Sequence, residues 1–141
     1  MIRQLLTLFA TLFLSLSVFS GCGSSDDGPE RYDVTGSITY KGAPLESGRI
    51  TFVPDSEKGN QGPVGYAMVE AGKYDTRAPG GKGTISGAIQ ILITGDNLAL
   101  SETGEIQPPL FVDHKETADI DPQQALTTLD FDVPAKTARK K

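Results

Sequence analysis

One cysteine and one histidine bound the chemistry open to this 141-residue chain. Cys22 lies in "FSGCGSSDD", directly behind an apolar run, and has no second cysteine with which to form an internal disulfide. His114, in "VDHKE", could be oriented by Asp113 as a general base. Such a base needs a placed nucleophile, and the chain contains no G-x-S-x-G elbow. His114 therefore reads as an exposed loop histidine. Zinc requires three or four Cys or His ligands at set spacings, which are not here. Calcium requires six or more oxygens. Asp119 with Asp121, or Asp130 with Asp132, offers only two on one face of an extended strand. The stretch "GGKGT" at 80–84 departs from a phosphate loop, because Gly83 separates Lys82 from Thr84 and no helix follows. It reads as a flexible loop. The expectation is no catalytic residue, no metal and no cofactor.

The surroundings of Cys22 say what its thiol is for. The first four residues carry one cationic side chain, Arg3, and residues 5–19 are an unbroken apolar and hydroxylated run, "LLTLFATLFLSLSVF". Ser20 and Gly21 then supply small residues, completing the order of a secretory signal peptide. A membrane-spanning helix needs about 20 apolar residues, so this run is short for a span, and no other segment approaches it. Phe19-Ser20-Gly21-Cys22 resembles a bacterial lipobox, in which the thiol is diacylated and the peptide cut just before it, although Leu is preferred at the place of Phe19. The resemblance implies lipidation of Cys22 and a chain exported to the cell membrane or outer membrane, facing the periplasm or the cell surface. Each buried methylene contributes about 0.8 kcal/mol, and two acyl chains hold where one is marginal. The membrane, reached through this lipid, is the first expected partner.

The elements behind that anchor follow from charge and periodicity. Residues 1–21 hold one cation and no carboxylate, so their removal takes the formal charge from −5 to −6. Such a balance repels nucleic acid, and the basic residues Lys136, Arg139, Lys140 and Lys141 read as a solvated tail, with a weak contact to anionic lipid or cell-wall polymer as the alternative. Residues 22–30, "CGSSDDGPE", form a Gly/Ser/Asp tether. Residues 31–134 suit one small domain, and 135–141 a disordered basic end. Within the domain the period is two. Strands are expected at 32–40, 49–54, 64–69, 73–77, 88–94 and 126–133, with turns at Lys41-Gly42-Ala43-Pro44 and Glu70-Ala71-Gly72-Lys73. Leu45 reads as an isolated apolar residue before a second break at Glu46-Ser47-Gly48. Ile50, Phe52, Ile89, Ile91 and Ile93 share apolar faces and should form the core centre. Residues 95–125 lack a sustained period and read as a long mobile excursion. Its Pro108, Pro109, Leu110 and Phe111 are the candidate partner-binding loop, with an edge strand at 110–112 as the alternative.

The order "VTGSITYKGAPLESGRITFVPD" resembles the opening of carboxypeptidase regulatory-like domains, whose fold is a transthyretin-type sandwich. Val34, Gly36, Ile38, Gly42, Pro44, Leu45, Ile50 and Phe52 occupy the places of that pattern. Glu70, Gly72 and Tyr74 in "EAGKY" stand where the family has a D-x-x-G-x-[YF] hairpin, with Glu70 and Ala71 as departures. The Phe-Val-Pro variant looks most like small lipoproteins of planctomycete bacteria. The resemblance implies an all-β fold, a small antiparallel β-sandwich, serving as a binding or scaffolding module toward an envelope protein or polysaccharide. A purely structural envelope role is the alternative, and an unrecognised hydrolase a remote one. One enzyme of this fold, hydroxyisourate hydrolase, uses several histidines and a C-terminal Tyr-Arg-Gly-Ser. This chain has one histidine and ends in Ala-Arg-Lys-Lys, so no enzymatic activity is implied.

Overall fold

The structure is a computed structural model that describes residues 28–99 and 103–135. The apolar run, Cys22, most of the tether and the basic residues 136–141 lie outside the described residues. Within them the chain forms β1 (Asp33–Tyr40), β2 (Ala43–Pro44), β3 (Ser47–Pro54), a 3-10 turn (Ser56–Lys58), β4 (Gly65–Glu70) and β5 (Lys73–Asp75). It continues with β6 (Gly87–Gly95), β7 (Phe111–Ile120), β8 (Leu126–Thr128) and β9 (Phe131–Val133). No α-helix occurs among the described residues, and no helix there is long and apolar enough to cross a membrane. The fold is all-β.

The strands make one curled, mainly antiparallel sheet in the order β2-β1-β5-β4-β3-β6-β7, with β8 and β9 both paired to β1. Period two decides what each buries. In β3, Ile50 and Phe52 are fully buried between outward Arg49, Thr51 and Val53. In β6, Ile89, Ile91 and Ile93 are likewise fully buried. These five are the expected core centre, and Val34, Ile38, Val69, Tyr74 and Ile120 join them. The curl brings Tyr40, at the end of β1, against Phe111, at the start of β7, with ring centroids 4.8 Å apart. Ala43–Pro44 and Ser47-Gly48, expected in turns, belong to β2 and β3, and Leu45 between them is not isolated. It is 1% exposed and caps the same interior.

Two hairpin turns carry backbone strain. Lys41-Gly42 has φ of 54° and 79°, and Ala71-Gly72 has φ of 49° and 76°. Positive φ at both positions is what a two-residue type I′ connection needs, because its twist matches that of the strands. An L-residue with a Cβ resists this region, whereas Asn tolerates it. Ala71→Asn is therefore expected to stabilise the chain by about 0.5–1 kcal/mol. The check is a higher denaturant midpoint at unchanged slope; an unchanged or lower midpoint would count against strain at Ala71.

Three expectations are corrected. Residues 95–125 are not one long excursion, because 111–120 form β7, paired to β6 from Gly87↔Ile120 to Gly95↔Phe111. The strand was hidden because its inward positions include His114 opposite Ile93 and Glu116 opposite Ile91. Inward charges of this kind keep an edge strand from pairing further. His114 is thus a strand residue, half-buried, and not a loop residue.

The second correction concerns the last strand, expected as continuous over 126–133. It is two short strands that run parallel to β1, in register Asp33↔Leu126 and Ile38↔Phe131, broken at Leu129-Asp130. Leu129 still donates its N–H to the Thr35 carbonyl at 2.9 Å. Its own carbonyl turns over the inner side of β1 at Gly36, where the Tyr74 hydroxyl donates to it at 2.7 Å.

The third concerns "GGKGT", which is not a flexible loop. Lys82 and Tyr66 exchange backbone hydrogen bonds of 2.8 and 2.9 Å, and Thr84 and Tyr32 exchange bonds of 3.0 and 2.7 Å. Gly83 is buried between them. A Cβ there would lie 2.8 Å from the Tyr32 carbonyl oxygen, so its glycine serves close backbone approach and not a phosphate.

Candidate functional site

An open trough of about 910 Å³ lies on the outer face where β8, β1, β5 and β4 meet. Its floor is built by alternation. Val34 and Ile38 of β1 point inward, so Thr35, Ser37 and Thr39 are left on the outside. The parallel register puts Asp130 and Asp132 beside those hydroxyls. The Ser37 amide and hydroxyl both donate to Asp130 Oδ1 at 2.7 Å, and the Thr39 hydroxyl donates to Asp132 Oδ1 at 2.6 Å. The Thr35 hydroxyl donates to the Tyr74 carbonyl at 3.0 Å. From β5, Lys73 and Asp75 complete the floor, and Met68, Glu70 and Pro79 form a wall. Arg77 holds Asp75 through Nε at 2.9 Å and Nη2 at 2.7 Å, with its own amide adding a third bond at 2.9 Å.

These bonds set the electrostatics. The Arg77 side-chain hydrogen bond holds the Asp75 carboxyl below its ordinary value. The Ser37 hydroxyl, then the Ser37 amide, does the same for Asp130, with Lys73 contributing charge. Burial pushes the Tyr74 phenol up, helped by the Asp130 charge, so it stays a neutral donor to Leu129. A general base works best with a pKa near the operating pH, and both carboxyls are moved away from it. The trough holds these groups as fixed donors and acceptors. A pH dependence follows from the sign of these shifts. A carboxyl depressed by folding stabilises the fold above its unfolded value, 3.8, and that contribution disappears as pH falls through the lower folded value. Acid unfolding below about pH 4 should therefore be less steep in Asp130→Asn than in the wild type. Superimposable acid profiles by circular dichroism would show that Asp130 gains nothing from Ser37.

The residues singled out for chemistry do not converge. The His114 ring pairs with Glu116 Oε1 at 2.9 Å. Asp113 does not orient it; this residue sits in the left-handed region (φ 51°), beside the register shift between Ile93 and Gly95. Asp119 is exposed on β7, and Asp121 Oδ1 accepts the Gln123 amide at 2.8 Å. Asp130 and Asp132 accept from β1, as above. Among the described residues no cluster of three or more His, Cys, Asp or Glu could hold a metal ion. In the candidate partner loop, Pro108, Pro109 and Leu110 are exposed, but Phe111 is 5% exposed and packed in the core. Ser37, Lys73 and Asp75 were not foreseen as neighbours. The shared period of "VTGSITY" and "LDFDV" hints at facing hydroxyls and carboxylates, but only the parallel pairing puts them together. Compared with protein-family models, with curated proteins and with solved structures, the chain matches none.

Proposed function

We propose that this chain is an exported, lipid-anchored envelope protein whose residues 31–134 form a single β-sandwich domain that works by binding or scaffolding. In this reading residues 1–21 are removed, Cys22 is diacylated and residues 22–30 are the tether. The domain is of the carboxypeptidase regulatory-like, transthyretin-type kind found in small planctomycete lipoproteins. The observation that carries it is the one cysteine of the chain, set behind Ser20 and Gly21 at the end of the apolar run. The sandwich is supported by the curl of the sheet around one apolar interior, which brings Tyr40 of β1 onto Phe111 of β7. A binding role is supported by the trough, whose two bonded carboxylates and hydroxyl row offer a fixed polar surface. An envelope protein or polysaccharide is the partner class.

The test is metabolic labelling with a palmitate analogue. Label is expected in the wild type and absent from Cys22→Ser, with the variant lost from the membrane fraction. Equal labelling or equal fractionation of the two would overturn the anchor. Crosslinking in intact cells then tests binding, and trough variants such as Asp130→Ala should lose the crosslinked partner.

A further inference from the structure

We propose that the outer face of β4, β3, β6 and β7 lies on the bilayer, against anionic phospholipid headgroups. This rests on the lipid anchor proposed above. Cross-strand register lays out that face. One row runs Lys82, Tyr66, Thr51, Leu92, Lys115, and the next runs Met68, Arg49, Thr94. The two rows hold three cations and no carboxylate, in a chain whose formal charge is −5. No ion pair engages Arg49, Lys82 or Lys115 among the described residues. Glu70 and Asp96 border the second row on either side of Ser47, and Asp113 and Asp119 stand at the β7 margin. Between the cations, Tyr66 is 38% and Met68 43% exposed. An amphipathic ring and a flexible thioether among cations suit an interface that is apolar below and charged above. The other half of the sheet carries Asp75, Asp130 and Asp132 on its outer face, beside Lys73 and the Arg77 that holds Asp75, and it meets this face at Met68.

The position of the tether selects the bilayer as occupant. Arg31 donates from Nη1 to the Gly83 carbonyl at 2.6 Å and to the Val64 carbonyl at 3.2 Å, and Tyr32 bridges Thr84. The chain therefore joins the sheet at the border of this face, beside Lys82 and the exposed Val64. Eight residues separate Cys22 from Arg31, a reach of at most about 30 Å over the nine steps. A face held that close meets the lipid surface at high effective concentration. Each cation near an anionic surface should add about five-fold in affinity, so the three together should add about 10²-fold.

The experiment uses the full lipidated chain in vesicles of phosphatidylglycerol and phosphatidylcholine. Acylation occupies Cys22, so Thr51→Cys places the one free thiol at the centre of the face, where it is labelled with an environment-sensitive dye. Ala43→Cys, in β2 just past the turn at the far end of β1, is the control. The expected result is a blue shift and quenching by a lipid-borne quencher at position 51, not at 43, reduced by salt and absent in pure phosphatidylcholine. Combining Thr51→Cys with R49E/K82E/K115E should abolish the signal while the protein still floats with the vesicles. R49Q/K82Q/K115Q provides the same comparison should charge reversal disturb the fold. A floating wild-type protein whose dye at 51 stays in water overturns the docking but leaves the anchor. A chain that is not acylated and does not depend on Cys22 for flotation overturns the anchor. Docking is then read from sedimentation with phosphatidylglycerol vesicles, where about 10²-fold weaker binding of R49Q/K82Q/K115Q supports it and equal binding overturns it. Protection at 51 by an acidic polymer or by a second copy, without vesicles, would overturn the bilayer as occupant.

Discussion

Gly36→Ala is expected to destabilise the chain by about 2–6 kcal/mol, although it adds a single methyl group. A Cβ at this position would stand 1.8 Å from the Leu129 carbonyl oxygen and 3.0 Å from the Tyr74 hydroxyl. Neither neighbour can withdraw freely. The carbonyl belongs to the link between β8 and β9, and the hydroxyl is bonded to it at 2.7 Å. Overpacking costs about 1–3 kcal/mol, and separating a buried donor from its acceptor adds about 1–3 kcal/mol more. Gly42→Ala is the comparison. Gly42 has φ of 79° but nothing within 4 Å of a Cβ, so only left-handed strain acts there, about 1 kcal/mol. The chain has four tyrosines and no tryptophan, so tyrosine fluorescence can follow both unfolding transitions. A loss at Gly36 no larger than at Gly42 would show that Leu129 is free to move, and the account of the break between β8 and β9 would fail.

Phe52→Ala is the second large effect, a loss of about 3–5 kcal/mol. The ring is fully buried and its centroid lies 6.1 Å from that of Tyr74, which in turn stacks on Phe131 at 6.4 Å. The cost of a cavity depends on how far its walls can collapse. Here Phe52 stands between Gly65 and Ile91 on the neighbouring strands. Gly65 is itself pressed against the Gly83 backbone, at 2.8 Å from an added Cβ. The walls are strands held by ladders on both sides, so the hole should stay open. A loss below about 1 kcal/mol in denaturant titration would mean that the ring faces solvent and that the register of β3 is wrong.

How much of this could be read without coordinates depends on where the information lies. Strands β1 and β3 were legible because inward aliphatic or aromatic residues alternate with mostly polar ones, and β4 and β6 because short β-prone runs lie between turns; burial has period two in β3, β4 and β6. The turns at Lys41-Gly42 and Ala71-Gly72 were legible because glycine supplies the positive φ that a two-residue connection demands. β7 was not legible. Its inward positions include His114 and Glu116, which an edge can tolerate because one side of it is wet, so the apolar period that marks a strand is missing. The trough was not legible either. Ser37 and Asp130 are 93 residues apart, and nothing local to either says that they will be neighbours.

Local pattern alone determined the strand-rich class, the five residues at the core centre and the place of the one thiol, because each depends on the order of side chains along a few residues. Only the tertiary structure decided that the last two strands run parallel to β1 and that the chain breaks at Leu129. It also decided that Gly36 must have no side chain. Gly36 was recognisable as part of a motif, but its reason was not, since the atom that fills its missing Cβ comes from a residue 93 positions away. Long-range contact of backbone with backbone leaves no trace in side-chain periodicity, and that is why folding was needed to reveal it.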